Sequence, residues 1–397
     1  MVTIPTQKKN KVKCNSTVFL ALLILPSVLI YFVVLKRYFH IGNNTHDGIS
    51  DHDGSLRNHK QLNHLKPQLT VSNTAGLQSV QCEKYVKDET IYDPNKQLPR
   101  DATKRMTVTE PKFWISVHNE GYDKMRFVWI MKKGDYYEQG LTALFHQILT
   151  KYDTTTEPPP LMLDIGANIG WFSLYSRAHG HDVAAFEPNP TMFLRICESL
   201  EYNSWDQESG HTSFSLWNYG LGAVPGRFNL TTGNNPGGSS FHEDRLARKF
   251  RKKLEVSVAT LDSIVMQEGW LGRQISLMKV DVEGFENFVF EGGKKLIYNG
   301  NVENIVMESS IHDVATVGGM VDLLYDAGYR LKEIRTVNGD KYHEDWWHTF
   351  NPTLEERYNN NLNKIHVAEA DESDQIKFLA KVTCNIWWQH QSIESSS

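Results

Sequence analysis

A tight turn between an apolar strand and a helix constrains this chain more than any other feature. It is the stretch Leu161-Met-Leu-Asp-Ile-Gly-Ala-Asn-Ile-Gly-Trp171. Residues 161–165 read as a strand, and Gly166, Asn168 and Gly170 form a turn whose backbone a ligand can approach closely. One helix length later, Val183-Ala-Ala-Phe-Glu-Pro-Asn-Pro190 reads as a second strand with an acidic residue at its end. Glu187 stands where the ribose-binding carboxylate of a βαβ nucleotide site belongs. The pair predicts an α/β domain that takes an adenosine-bearing cofactor.

The pattern beyond the turn agrees. Strands are predicted at 161–165, 182–187, 213–219, 275–281, 302–308 and 329–337, with a last one at 376–387. Helices are predicted at 169–179, 190–202, 260–268, 284–298 and 314–327, with Pro190 as an early helical residue and Gly180 as a stop. This alternation implies a parallel sheet covered on both faces, a doubly wound α/β domain. It begins after Pro158-Pro-Pro160 and extends to about 390, and residues 82–157 read as an N-terminal cap. Within it, 338–374 is an insertion that overhangs the strand ends. Its Trp346 and Trp347 serve either as a sugar-stacking lid or as cover for the core.

The turn also discriminates between cofactors. A nicotinamide site needs Gly-x-Gly-x-x-Gly so that pyrophosphate can rest on a helix N-terminus. Here Asp164 opens the motif and Asn168 replaces the middle glycine. A carboxylate there repels pyrophosphate but suits the ammonium of a methionine-bearing cofactor, so the spacing favours S-adenosylmethionine. A second constellation, Ile275-Ser-Leu-Met-Lys-Val-Asp-Val-Glu-Gly-Phe-Glu286, delivers Asp281 and Glu283 at a strand end, with Gly284 turning the chain into the next helix. Such carboxylates can orient a hydroxyl or accept its proton. Asp281, Glu283 and His312 are the candidate proton acceptors, with His242 behind them. No metal is assigned, although Asp281, Glu283 and Glu308 offer oxygens to a divalent ion as an alternative use.

Together these stretches resemble the FkbM-type methyltransferase family. Its D-x-G-A-N-x-G turn, F-E-P-x-P strand and K-x-D-x-E-G-x-E strand end stand here at Asp164–Gly170, Phe186–Pro190 and Lys279–Glu286. Further matches are Gly237-Gly-Ser-Ser240, Val258-Ala-Thr-Leu-Asp262, Glu308 and the Ala-Gly-Tyr that ends at Tyr329. The resemblance covers roughly 160–335. It implies a class I methyltransferase fold, a Rossmann-like seven-stranded sheet, and S-adenosylmethionine-dependent O-methylation. It further implies cofactor contacts from Asp164, Gly166, Asn168, Gly170 and Glu187, with Asn218 on the adenine side.

The remainder of the chain bears on placement. Thr17 to Leu35 is an uncharged apolar run long enough to cross a bilayer as a helix, with Lys8, Lys9, Lys11 and Lys13 before it. It reads as a signal anchor that leaves residues 1–16 in the cytosol, 36–81 as a flexible stem, and the remaining chain in a secretory compartment such as the Golgi. Asn43-Asn-Thr45 and Asn229-Leu-Thr231 are then usable glycosylation sequons. Of the four cysteines, Cys197 shares a helical face with Phe193, Ile196 and Leu200 and reads as a buried thiol. Cys82 and Cys384 are the candidates for a bridge in an oxidising compartment. A net charge of −5 gives no reason to expect nucleic acid. The six basic residues between Arg245 and Lys253 read as a solvated helix face rather than an anion dock. The expected acceptor is a hydroxyl of a glycan or glycoconjugate. Anchor, stem and α/β domain also suit a Golgi-type glycosyltransferase, with Asp281-Val-Glu283 as its metal and sugar-nucleotide motif. A catalytically silent glycan-binding module is the third reading.

Overall fold

The computed structural model describes residues 77–80, 82, 102–120, 137–205, 211–232, 238–241, 252–309, 314–336, 379 and 384–392. They all fall in one compact unit, Leu65–Ser397. In chain order its strands are β1 (Ala102–Met106), β2 (Trp114–His118), β3 (Leu161–Ile165), β4 (Asp182–Phe186), β5 (Phe214–Trp217), β6 (Gly220–Leu221), β7 (Gly226–Thr232), β8 (Lys252–Ala259), β9 (Ile275–Val280), β10 (Asn304–Ser309), β11 (Tyr329–Thr336) and β12 (Cys384–His390). Its helices are α1 (Gln139–Leu149), α2 (Trp171–Ala178), α3 (Pro190–Tyr202), α4 (Leu261–Gln267), α5 (Glu286–Gly292), α6 (Lys294–Asn299) and α7 (Val314–Asp326).

Seven strands form the central sheet in the order β11-β12-β10-β9-β3-β4-β5. The β10, β9, β3, β4 and β5 neighbours pair in parallel, whereas β12 runs antiparallel between β10 and β11. Alternation along each strand decides which face a side chain enters. Leu161, Leu163, Ile165, Met278 and Val280 pack with α4 to α7 on one face. Met162, Leu277 and Val306 pack with α1, α2 and α3 on the other. Both faces are therefore covered, and the near-continuous apolar runs of β3, β4 and β9 follow from that.

Three elements depart from the sequence expectation. The helix predicted at 284–298 is broken into α5 and α6 at Gly292-Gly293. A Cβ on Gly292 would lie 2.1 Å from the carbonyl oxygen of Gly222, so backbone packs on backbone there. The last strand occupies 384–390 rather than 376–387. A second sheet of β6, β8 and β7, which the strand–helix alternation gave no reason to expect, packs its own apolar cluster around Phe228, Leu230, Phe241 and Phe285. Lys252 and Lys253, expected on a helix, begin β8 and are paired to β7 at Thr232 and Thr231. Within the expected cap region, β1 and β2 form an antiparallel pair. Ser116 N–H donates to Ser199 Oγ on α3 at 2.8 Å.

The cysteine expectation is corrected outright. Cys82 and Cys197 form a disulfide with a Cα–Cα distance of 5.2 Å, while Cys384 is a buried free thiol whose pKa burial pushes up to about 12. Sequence spacing carries no information about which Cα atoms come within bridging range. Among the described residues no helix is long and apolar enough to cross a membrane, and the apolar run 17–35 lies outside them.

Candidate active site

A cleft of about 260 Å³ opens where the parallel strands end, the edge at which open α/β sheets bind ligands. The turn after β3 forms its floor. Gly166 sits at φ +81°, and a Cβ there would fall 1.8 Å from the carbonyl oxygen of Asp281. Glycine is therefore required twice over, by the left-handed backbone and by the contact between the β3 and β9 ends. Asn168 also takes a left-handed conformation, with φ 57°, and Gly170 ends the turn as the N-cap of α2.

Glu187 forms one wall at the end of β4. It is 7% exposed, and each carboxylate oxygen accepts one backbone N–H, Oε2 from Asn168 and Oε1 from Asn189, both at 2.7 Å. Burial raises its pKa to about 7 against the opposing pull of those two hydrogen bonds. The two bonds leave lone pairs on both oxygens, enough to receive a vicinal diol. Asn218 is placed differently from the expectation. It does not line the cleft, and its Nδ2 donates to the carbonyl oxygen of Glu187 at 2.8 Å, which fixes the β4 turn against β5.

Asp164 lies beneath the cleft and is absent from its lining. It is fully buried, accepts a hydrogen bond from Ser173 Oγ on α2, and has Lys279 Nζ at 3.6 Å from Oδ1. Register explains the pairing, because Asp164 and Lys279 are direct neighbours across β3 and β9. Burial raises the Asp164 pKa, with Lys279 as the strongest opposing influence. The carboxylate expected to meet a ligand ammonium is thus one layer down, holding the lysine that reaches the cleft.

The motif reading assigns Lys279 no role. It is 4% exposed, lies 3.0 Å from Asp281 Oδ2, and donates to the carbonyl oxygen of Gly166 at 3.3 Å. Burial alone would lower its pKa, but Asp281 and Asp164 outweigh burial and the net shift is upward. The signal was available in the sequence, since Lys279 and Asp281 at i and i+2 share one face of β9.

Asp281, Glu283 and Glu308 converge on the opposite wall, each offering a carboxylate oxygen within 4.8 Å of the others. Glu283 is carried at φ 55° in the turn after β9. Glu286 Oε1 braces that turn by accepting from Val282 N–H at 3.2 Å and Gly284 N–H at 3.0 Å, a structural role rather than a chemical one. Glu308 is next to last in β10, on the face of Val306, and its Oε2 is buried without a hydrogen-bond partner among the described residues. Burial first, then the charges of Asp281, Glu283 and Glu286, raises its pKa well above the ordinary carboxyl range. This arrangement can exchange a proton with a ligand hydroxyl, and its spacing would also hold a divalent ion. Ser239, from the Gly-Gly-Ser-Ser stretch, lines the far side and lies 3.3 Å from Asn189 Nδ2. His312, His242, Trp346 and Trp347 lie outside the described residues.

Known proteins resemble the part of the chain that builds this geometry. Residues 164–331 match the methyltransferase FkbM domain. Methyltransferase sdnD of Sordaria araneosa is 28% identical over 196 residues, 42% of this chain and 73% of that protein. The 31-O-demethyl-FK506 methyltransferase FkbM of Streptomyces tacrolimicus is 25% identical over 216 residues, 47% of this chain and 81% of its own length. Among solved structures, methyltransferase FkbM from Methylobacillus flagellatus aligns at 13% identity with a TM-score of 0.33. The alignment covers 62% of this chain and half (50%) of the other. The segment 164–331, which holds the glycine turn, Glu187 and the Lys279–Glu286 strand end, matches the methyltransferase FkbM domain, and both relatives are named as methyltransferases.

Proposed function

We propose that this enzyme transfers the methyl group of S-adenosylmethionine to a hydroxyl oxygen of a glycan or glycoconjugate, working from a type II membrane anchor in a secretory compartment such as the Golgi. The observation that carries the reading is the division of the cleft. On one wall the buried Glu187 keeps acceptor capacity for a diol, and on the other three carboxylates converge. A ribose with two free hydroxyls fits the first wall, and Phe186, Met192 and Leu221 supply apolar surface beside it. A relative named as a 31-O-demethyl-FK506 methyltransferase supports oxygen as the acceptor atom. Asp281-Val-Glu283, which also suited a sugar-nucleotide motif, lies inside the methyltransferase FkbM segment.

When bound, the cofactor supplies a methyl group already activated on a sulfonium. The remaining work of the chain is positioning, which can account for a large part of the rate. Glu187 would hold the ribose, with the backbone turn Gly166–Gly170 on the cleft floor beside it. An acceptor hydroxyl approaching the carboxylate wall loses its proton as its oxygen is methylated. Asp281 is committed to Lys279, which fixes its orientation toward the cleft. Asp281 and Glu283 stand on that wall as the candidate acceptors of the proton, beside Glu308, whose carboxyl is held above the ordinary range by burial and by their charges.

Placement in an oxidising compartment is supported by the Cys82–Cys197 disulfide, because such bonds are rare in reducing cytosol. The reading is tested by incubating the full chain with methyl-labelled S-adenosylmethionine and a panel of glycans, followed by mass spectrometry of the sugars. Label on a sugar oxygen is expected. Donor binding with no glycan labelled would overturn the acceptor assignment.

A further inference from the structure

We propose that Asn229 carries an N-linked glycan on the outer face of the β6-β8-β7 sheet. The proposal rests on the luminal placement given above and is independent of the methyl-transfer chemistry. The sequence requirement is met by Asn229-Leu-Thr231, and three structural observations make the site more than a motif.

The first is orientation. β7 is an outer strand of its sheet, paired along its length to β8 and bridged on its other edge only at Thr231 to Ser240 among the described residues, and its side chains alternate around Asn229. Phe228 and Leu230 point inward to the aromatic cluster, and Leu230 reaches the cleft. Asn229 points the other way and is exposed, opposite Glu255 and next to the exposed Arg227–Glu255 ion pair. A glycan there extends into solvent, away from the cleft.

The second is Thr231. It is fully buried, and its hydroxyl has no hydrogen-bond partner among the described residues. A buried unpaired hydroxyl is a net cost, and valine has nearly the same shape without it. Among the described residues nothing uses that hydroxyl, whereas glycan transfer needs it before the strand folds.

The third is the Cys82–Cys197 disulfide, which joins residues 115 apart in sequence. Its formation removes two protons and two electrons from the paired thiols, passed to a disulfide-bearing oxidoreductase. That chemistry belongs to the compartment in which oligosaccharide is transferred from a lipid pyrophosphate carrier. In the transfer, Asn229 Nδ2 gives up one proton and bonds the anomeric carbon of the glycan. The lipid pyrophosphate leaves with the bonding electron pair.

The test uses the full chain expressed in cultured animal cells and purified without reductant. Treatment with an N-glycan amidase in heavy-oxygen water converts a glycosylated Asn229 to labelled Asp, which peptide mass spectrometry locates. Conversion is expected in the wild type and in Thr231→Ser, and is lost in Asn229→Gln and Thr231→Val. Thr231→Val also keeps or raises the thermal midpoint, which separates loss of the glycan from loss of the fold. A bare Asn229 in wild-type chain with Cys82 and Cys197 oxidised overturns the proposal and leaves the placement standing. A bare Asn229 with both cysteines reduced overturns both. Donor binding measured on the same preparation reports separately on the methyltransferase reading.

Discussion

Replacing Lys279 with methionine keeps the length of the side chain and removes its charge, and the surrounding geometry sets the consequence. The ammonium is 4% exposed and lies between Asp281 Oδ2 at 3.0 Å and Asp164 Oδ1 at 3.6 Å. Asp281 is half-buried and regains water, but Asp164 is fully buried and, among the described residues, keeps only Ser173 as a hydrogen-bond donor. Breaking a buried pair from one side typically costs about 3–5 kcal/mol, because a charge is left uncompensated. The sign of the pH dependence follows from Asp164. Burial already raises its folded pKa above the ordinary value, and removing Lys279 raises it further. A carboxyl that binds protons more tightly in the folded state stabilises fully below its unfolded pKa. That stability is lost as pH rises toward the folded one. Urea unfolding followed by tryptophan fluorescence at pH 5 and pH 8 therefore gives Lys279→Met a larger deficit at pH 8. Adding Asp164→Asn to Lys279→Met recovers part of the loss, since the orphaned charge is removed. A deficit below about 1 kcal/mol, equal at both pH values, would refute the buried-pair account. So would full additivity of the two substitutions.

Gly166→Ala drives a methyl group into the Asp281 carbonyl and strains a left-handed residue. It is expected to cost about 1–3 kcal/mol and to abolish donor binding by calorimetry, whereas unchanged binding would contradict the turn's role. Asp164→Ala weakens the fold and donor binding together, because it unseats Lys279 and the turn. Asp281→Ala mainly lowers turnover at saturating donor, and equal loss of binding in both variants would contradict this division. Donor affinity is steady above pH 7 and falls as pH drops through about 7, where Glu187 gains a proton and ceases to accept the ribose hydroxyls. Titrations across pH 5.5 to 8.5 check this, and Glu187→Gln removes the dependence. Cys82→Ser or Cys197→Ser opens a loop of 115 residues and lowers unfolding stability by about 3–5 kcal/mol, measured by denaturant titration.

The turn at 164–170 and the strand ends at 187 and 281 were legible because their residue types are dictated locally. A left-handed backbone, a helix entry and an apolar strand each leave a mark within a few positions. The both-faced sheet followed from the same alternation, and Lys279 was within reach of it through the i, i+2 face it shares with Asp281. Other features depend on contacts far apart in sequence. Cys82 meets Cys197 of α3 across 115 residues of sequence, and no spacing rule encodes that. Asn218 was expected at the adenine because it ends the third parallel strand, but its amide is captured by the Glu187 carbonyl. Asp164 was read as ligand-facing from its place in the motif, whereas the β3–β9 register puts a lysine over it. The break between α5 and α6 likewise arises from a backbone contact with Gly222, some seventy residues earlier in the chain. The exposure of Asn229 likewise depends on which face of β7 packs on the aromatic cluster.

The central claim is that the cleft between Glu187 and the three carboxylates binds S-adenosylmethionine. Isothermal titration of S-adenosylmethionine into the purified full chain, repeated with Glu187→Gln, tests it most directly. One binding site per chain is predicted for the wild type, with affinity reduced at least about tenfold in the variant, the equivalent of roughly 1.4 kcal/mol. Absence of binding heat in the folded wild type, or equal affinity in Glu187→Gln, would contradict the account.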